Sequence, residues 1–286
     1  MPRVKAGIVE LEYEQFGDPH DPALILVMGL GAQLIDWPEE FCRRLADRGF
    51  RVIRYDNRDA GLSTALDDLP VPELGSVVAG LAAPPYTLSD LAGDTVGLLD
   101  ELGIQRAHVV GASMGGMIVQ TLAIEHPERL LSVTSIMSTT GNPAVGQASP
   151  EAITALTTTP PAERAEAIEY MVRLLRLIGS AEVSDAELRA RATAGIDRAR
   201  QPAGVARQMA AIVAAPDRTE ALGAVRTPTV VVHGEVDVLL DVSGGRATAE
   251  AIPGAELVTV PVMAHDLPPS AWDTIIDAIA RTAARG

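Results

Sequence analysis

Apolar positions along the chain fall into two alternating patterns. Residues 7–16 set Ile8, Val9, Leu11, Tyr13 and Phe16 among acids, the two-residue period of a strand with one wet face. With residues 3–6 this predicts an antiparallel hairpin at a sheet edge. Ala23 to Met28 is unbroken and apolar and runs into glycines, as a strand covered on both faces does. Residues 38–48 carry Phe41 and Leu45 on one helical face closed by Gly49, and Arg51 to Tyr55 is a further short strand. Thr87 and Asp90 are spaced as a capping box that starts a helix running to Leu102, with Gly103 as its stop. The series continues with a strand over Ala107 to Val110, a helix over 115–126 ended by Pro127, and a strand over Leu131 to Met137. It closes with a strand over Thr229 to Val232, a helix near 244–252, a strand over 255–260 and a helix over 271–284. Short buried strands alternating with amphipathic helices predict an α/β fold on a mostly parallel sheet flanked by helices.

One stretch interrupts the alternation. From Thr139 to Gly223 no buried strand appears, only helical periodicity rich in alanine and acids and punctuated by prolines at 143, 150, 160, 161, 202 and 216. This predicts a core domain of residues 1–138 and 224–286 carrying a helical insert, a lid or cap, over 139–223. Segment 66–86, with Pro70, Pro72, Pro84 and Pro85, reads as a second, irregular excursion.

Composition narrows the classes. A chain of 286 residues, 47% hydrophobic and 21% charged, buries a sizeable core and does not read as disordered. A formal net charge of −15 repels nucleic acid and anionic lipid, and no basic stripe offsets it. Arg191, Arg198 and Arg200 are interleaved with acids and alanines and read as a solvated helix face. Cys42 is the single cysteine, which leaves no internal disulfide and no thiolate zinc site. No signal-peptide pattern follows Met1 to Lys5, and the longest apolar runs, such as 24–30, are too short for a membrane span. The expectation is a cytoplasmic protein with neither nucleic acid nor membrane as partner. Nothing in the sequence sets an oligomeric state.

The sharpest local signal is Val110-Gly111-Ala112-Ser113-Met114-Gly115-Gly116, a G-x-S-x-G between a strand and a helix. The sharp turn there strains the serine backbone and lifts its hydroxyl clear of the sheet, at a helix N-terminus that favours negative charge. A serine hydroxyl needs a base. His20 lies in a polar turn, His108 within a strand, His126 at a helix end where it can meet the terminal carbonyls, and His233 at a strand end. His265 falls in the loop after the last strand, at the carboxyl edge of the sheet, where sites collect, and is the expected base. Asp237, just beyond the penultimate strand, is the expected orienting acid, with Glu235 and Asp241 as rivals. The backbone N–H groups of Met114 and of Leu30, in the turn Met28-Gly29-Leu30-Gly31, are the expected oxyanion donors. The mechanism requires no metal and no organic cofactor.

With those residues in view the chain resembles the α/β-hydrolase superfamily over nearly its whole length. Tyr55-Asp56-Asn57-Arg58-Asp59-Ala60-Gly61-Leu62-Ser63 is similar to that family's D-x-R-G-x-G-x-S loop. Leu26-Val27-Met28-Gly29, Trp37-Pro38-Glu39-Glu40-Phe41, the stretch Arg43 to Ser63, Ala107-His108-Val109-Val110-Gly111 and His265-Asp266-Leu267-Pro268 are similar to the aclacinomycin methylesterase-like group. The resemblance implies an eight-stranded sheet, a helical cap, and Ser113, Asp237 and His265 as nucleophile, acid and base. Many relatives have histidine where Met28 stands, and many have proline where Asp241 stands.

The expected activity is hydrolysis of a small neutral or hydrophobic carboxylic ester through an acyl-enzyme. The same residues can run perhydrolysis, cofactor-free haloperoxidation or carbon–carbon bond hydrolysis, and a small-molecule receptor could retain them. Met171, Leu174, Leu175 and Ile178 are expected to form cap core, with an acyl pocket as the alternative. No substrate-binding residue is otherwise identified.

Overall fold

The structure, a computed structural model, describes residues 2–286. Its strands are β1 (Arg3–Ala6), β2 (Val9–Phe16), β3 (Ala23–Val27), β4 (Arg51–Tyr55), β5 (Ala107–Ala112), β6 (Leu130–Ile136), β7 (Thr229–Gly234) and β8 (Glu256–Val260). Its helices are α1 (Glu39–Ala46), α2 (Leu74–Val78), α3 (Leu88–Glu101), α4 (Met114–Glu125), α5 (Pro150–Thr157), α6 (Arg164–Ile178), α7 (Asp185–Arg198), α8 (Pro202–Val213), α9 (Thr219–Leu222), α10 (Val242–Ala251) and α11 (Trp272–Ala283).

Among the described residues the strands form one eight-stranded sheet in the order β1-β2-β4-β3-β5-β6-β7-β8. The β1–β2 hairpin is antiparallel, β2 runs antiparallel to β4, and every later pairing is parallel. The carboxyl ends of β5, β7 and β8 therefore emerge on one edge of the sheet.

Alternation along the central strands sorts side chains onto two faces. Leu24 and Leu26 join Trp37, Phe41 and Leu45 of the α1 region and Trp272, Ile275 and Ile279 of α11. Ile25 and Val27 join Leu91 and Leu98 of α3 and Met117, Ile118 and Leu122 of α4. Phe41 links its layer, stacked on Trp37 at 5.8 Å between centroids and edge-on to Trp272 at 5.9 Å. Each large side chain removed from water contributes about 1.5–3 kcal/mol, so the sheet is clamped from both sides.

The capping box of α3 forms as its sequence predicts: Thr87 Oγ1 accepts from Asp90 N–H and Asp90 accepts from Thr87 N–H. Gly103 follows with φ 68°, a left-handed stop that glycine adopts without strain. The strand expected over 107–110 extends through Ala112, because pairing with β6 continues to Ala112–Ile136. The excursion at 66–86 is not wholly irregular: Glu73 caps the short helix α2 by accepting from the N–H groups of Gly75 and Ser76.

Helices α5 to α9 occupy the connection between β6 and β7. Their attachment corrects one expectation. Arg198 does not lie on a solvated face; its guanidinium sits 2.7 Å from the buried carboxylate of Asp56 and donates to Gln33 at 2.7 Å. Met171, Leu174, Leu175 and Ile178 are half-buried, and the buried positions of α6 are Ala167 and Ile168.

Candidate active site

β5 delivers the chain into a turn that small residues alone permit. A Cβ on Gly111 would stand 2.0 Å from the Gly115 carbonyl oxygen, and one on Gly115 would stand 2.0 Å from that of Val27. The chain is thus folded back hard onto the end of β3, and Ser113 takes φ 58°, ψ −121°. A non-glycine residue in such a region costs of order 1–3 kcal/mol, which the surroundings hold in place. Ser113 N–H donates to Ile136 at 2.9 Å, and its carbonyl accepts from Ser138 Oγ at 2.8 Å and Gly116 N–H at 2.9 Å.

Three side chains from separate strand ends converge there. His265 Nε2 lies 2.9 Å from Ser113 Oγ, and His265 Nδ1 lies 2.7 Å from Asp237 Oδ2. The other carboxylate oxygen of Asp237 accepts from the N–H groups of Leu239 at 2.8 Å and Leu240 at 2.9 Å. An ionised carboxylate only accepts, so the imidazole proton sits on Nδ1 and Nε2 is left to accept from the serine hydroxyl. Asp237 is 5% exposed and His265 9%, so water competes little for these bonds.

The turn after β3 lies against the same serine. A Cβ on Gly29 would be 3.0 Å from Ser113 Cβ and 3.4 Å from its Oγ, so the chain passes beside the hydroxyl at Gly29, one residue before Leu30. Met114 is the first residue of α4, and the N–H at that helical position has no acceptor within its own helix. Asn57 Nδ2 donates to the Met28 carbonyl at 2.9 Å, and Gly31 N–H donates to Gln208 Oε1 at 2.8 Å. These bonds set the turn from below and from α8.

The other histidines and acids are engaged elsewhere. His20 is exposed. His108 shares a 2.8 Å hydrogen bond with Ser132, and burial, with Arg106 in support, pushes it down to about 4. His126 is the C-cap of α4, and its Nδ1 lies 3.9 Å from the Glu128 carboxylate. His233 Nε2 bonds the Leu240 carbonyl at 2.7 Å and stands 3.6 Å from Asp237. Burial lowers His233 despite the upward pull of Leu240 and Asp237. Glu235 accepts from Thr259, and Asp241 caps α10 through Ser243 N–H at 2.8 Å.

Sequence reasoning did not find the groups that fasten the β6–β7 helices around this centre. Arg207 of α8 clasps Asp59 through two bonds of 2.8 and 2.7 Å, and Tyr86 adds a third donor to the same carboxylate. Burial alone would raise Asp59, but Arg207, Leu66 N–H and Tyr86 together hold it below the ordinary carboxylate range. Gln33 Nε2 donates to the carbonyls of Gly195 and Ala199 at the end of α7. At the end of α6 the Ile178 carbonyl accepts from His265 N–H at 2.8 Å. These partners lie far apart in the chain, so no local spacing signals them.

Among the described residues no helix is long and apolar enough to cross a membrane. The family model described as alpha/beta hydrolase fold matches residues 22–268. The chain is 32% identical to rhodomycin D methylesterase DnrP of Streptomyces peucetius, a match covering 95% of this chain and 94% of that protein. It is 41% identical over 129 residues to rhodomycin D methylesterase DauP of Streptomyces sp. (strain C5), where the match spans 45% of this chain and only 39% of that protein. The enol-lactonase of Burkholderia xenovorans LB400 superposes with a TM-score of 0.76 at 27% identity, covering 98% of this chain and 99% of that one.

Proposed function

The chain belongs to the α/β-hydrolase family, and from that premise we propose that it hydrolyses a carboxylic ester of a small neutral or hydrophobic substrate through an acyl-enzyme. Ser113 is the nucleophile, His265 the base and Asp237 the acid that orients it. As Ser113 Oγ bonds to the carbonyl carbon, its proton passes to His265 Nε2. The oxyanion that forms is held by the N–H groups of Leu30 and Met114. His265 then returns the proton to the departing alcohol as the carbon–oxygen ester bond breaks. Water then attacks the acyl carbon as its proton passes to the same nitrogen, and His265 returns that proton to Ser113 Oγ as the acyl–oxygen bond breaks and the carboxylic acid leaves. Asp237 stabilises the imidazolium at each transfer.

The observation that carries this reading is the unbroken pair of bonds through His265, 2.9 Å to Ser113 and 2.7 Å to Asp237. Helices α5 to α8 form the cap, within the insert 139–223, since Ile178 and Gln208 bond the two loops that flank Ser113. The names of the methylesterase relatives favour a methyl ester among the carboxylic esters.

Purified protein should hydrolyse p-nitrophenyl and methyl esters faster than it forms peracids or cleaves diketones, and the product should not be retained. Ser113→Ala should lower kcat by about 10⁴-fold or more. Near wild-type turnover by that variant would overturn the assignment. Preference for the diketone would move the same triad to carbon–carbon hydrolysis, and one slow turnover with retained product would mark a receptor.

A further inference from the structure

The loop carrying His265 is not held by the sheet alone. Three consecutive residues, Ala264, His265 and Asp266, are each bonded to the end of α6 or to Ser180 just past it. Ala264 N–H donates to Ser180 Oγ at 2.9 Å, and His265 N–H donates to the Ile178 carbonyl at 2.8 Å. Ser180 Oγ donates to Asp266 Oδ1 at 2.5 Å, and Ser180 N–H donates to Asp266 Oδ2 at 3.0 Å. The Ser180 hydroxyl therefore both accepts from the loop backbone and donates to the loop side chain. It is 2% exposed, so water does not substitute for either partner. The approach is close: a Cβ on Gly179 would meet the Leu175 carbonyl oxygen at 2.6 Å and Asp266 Oδ2 at 3.3 Å.

We propose that Ser180 and Asp266 are positioning residues for catalysis, a clasp by which the helical insert fixes the backbone on either side of His265 and so the reach of its imidazole to Ser113. This rests on His265 being the base. Neither residue touches the reacting atoms. Their effect is geometric: the Ser113–His265 bond spans a turn and a loop on separate strands, and the loop end is set from α6. A displacement of about 1 Å at such a group, caused by a change away from the chemistry, can cost on the order of 10²-fold in rate. Docking of the insert and activation of the serine are then one event.

The test compares Ser180→Ala, Asp266→Ala, the double variant and His265→Ala with p-nitrophenyl acetate, using the folded fraction measured by circular dichroism. Ser180→Ala should lower kcat by roughly 10- to 100-fold with KM little changed, and should slow labelling of Ser113 by a fluorophosphonate in proportion. The double variant should be no slower than the slower single one, because both changes open the same clasp. If Ser180→Ala does not fold, Asp266→Ala, at a half-buried position, carries the same readout. A kcat within about twofold of wild type in the folded single variants, or a loss confined to KM, overturns the clasp. If His265→Ala is inactive while those variants are not, the base stands and only the clasp fails. If His265→Ala stays active, both fail together.

Discussion

Every residue of β3, β5 and β7 is buried, whereas α6 buries only Ala167 and Ile168 among 15 residues and α7 only Leu188 and Ala192 among 14. The sheet is held by apolar area on two faces. Ala211 of α8 reaches the apolar core, but most ties of the α6–α8 region to the sheet half are directed polar bonds: Arg207 to Asp59, Arg198 to Asp56, Gln208 to Gly31 and Arg58, and Ser180 to Asp266. Apolar packing tolerates small shifts and is spread over many residues. A buried ion pair concentrates its effect in two groups, and losing one leaves the other charged and unpaired. The two regions should therefore fail differently.

The largest effect on stability is expected at the ion pair. Arg207 and Asp59 side chains are 1% and 0% exposed, so Arg207→Ala should cost about 3–5 kcal/mol, read as a lower urea midpoint. A loss under about 1 kcal/mol would mean that apolar contact, not the pair, holds α8 to the core.

Acid should act through the sheet half next. His108 is held neutral by burial, its value pushed down to about 4, and His233 is lowered in the same sense. In the unfolded chain these groups take up protons near the ordinary histidine value of about 6.5, so the unfolded state binds more protons below it. Stability is fully present above that value and is lost as pH falls toward 4. Between pH 6.5 and 5, above most carboxylate titration, His108 alone should remove about 1–2 kcal/mol. A flat thermal midpoint over that window would show that the imidazoles are not buried neutral.

The smallest expected effect sharpens the contrast from the side of the helices between β6 and β7. Ser184 caps α7 in a capping box with Glu187, and Ser184→Ala should cost about 1 kcal/mol. With few buried side chains on α7, that local loss should show as faster amide exchange within the helix while the central strands keep their protection. Equal acceleration in β5 would mean that the two regions unfold as one unit.

Much of the architecture was legible along the chain because its signals are local. Continuous apolar runs, the Thr87–Asp90 capping box and the glycines around Ser113 each work within a few residues, and they determined the α/β class, the strand-to-helix turn and the serine at its tip. His265 and Asp237 could be proposed because each follows a strand end on the same sheet edge, but their separation from Ser113 and from each other was open, as were the rivals Glu235 and Asp241. Only the folded chain brings His265 to 2.9 Å from Ser113 and turns Asp241 away to cap a helix. The polar clasps around the site were invisible for the same reason. Arg198 looks like any solvated arginine on an alanine-rich helix until tertiary packing sets a buried carboxylate beside it. Hydrophobic period is a property of neighbours in sequence, whereas a hydrogen bond between residues 180 and 266 depends on where two distant backbones end up. That placement is decided by the packing of the whole sheet and its helices.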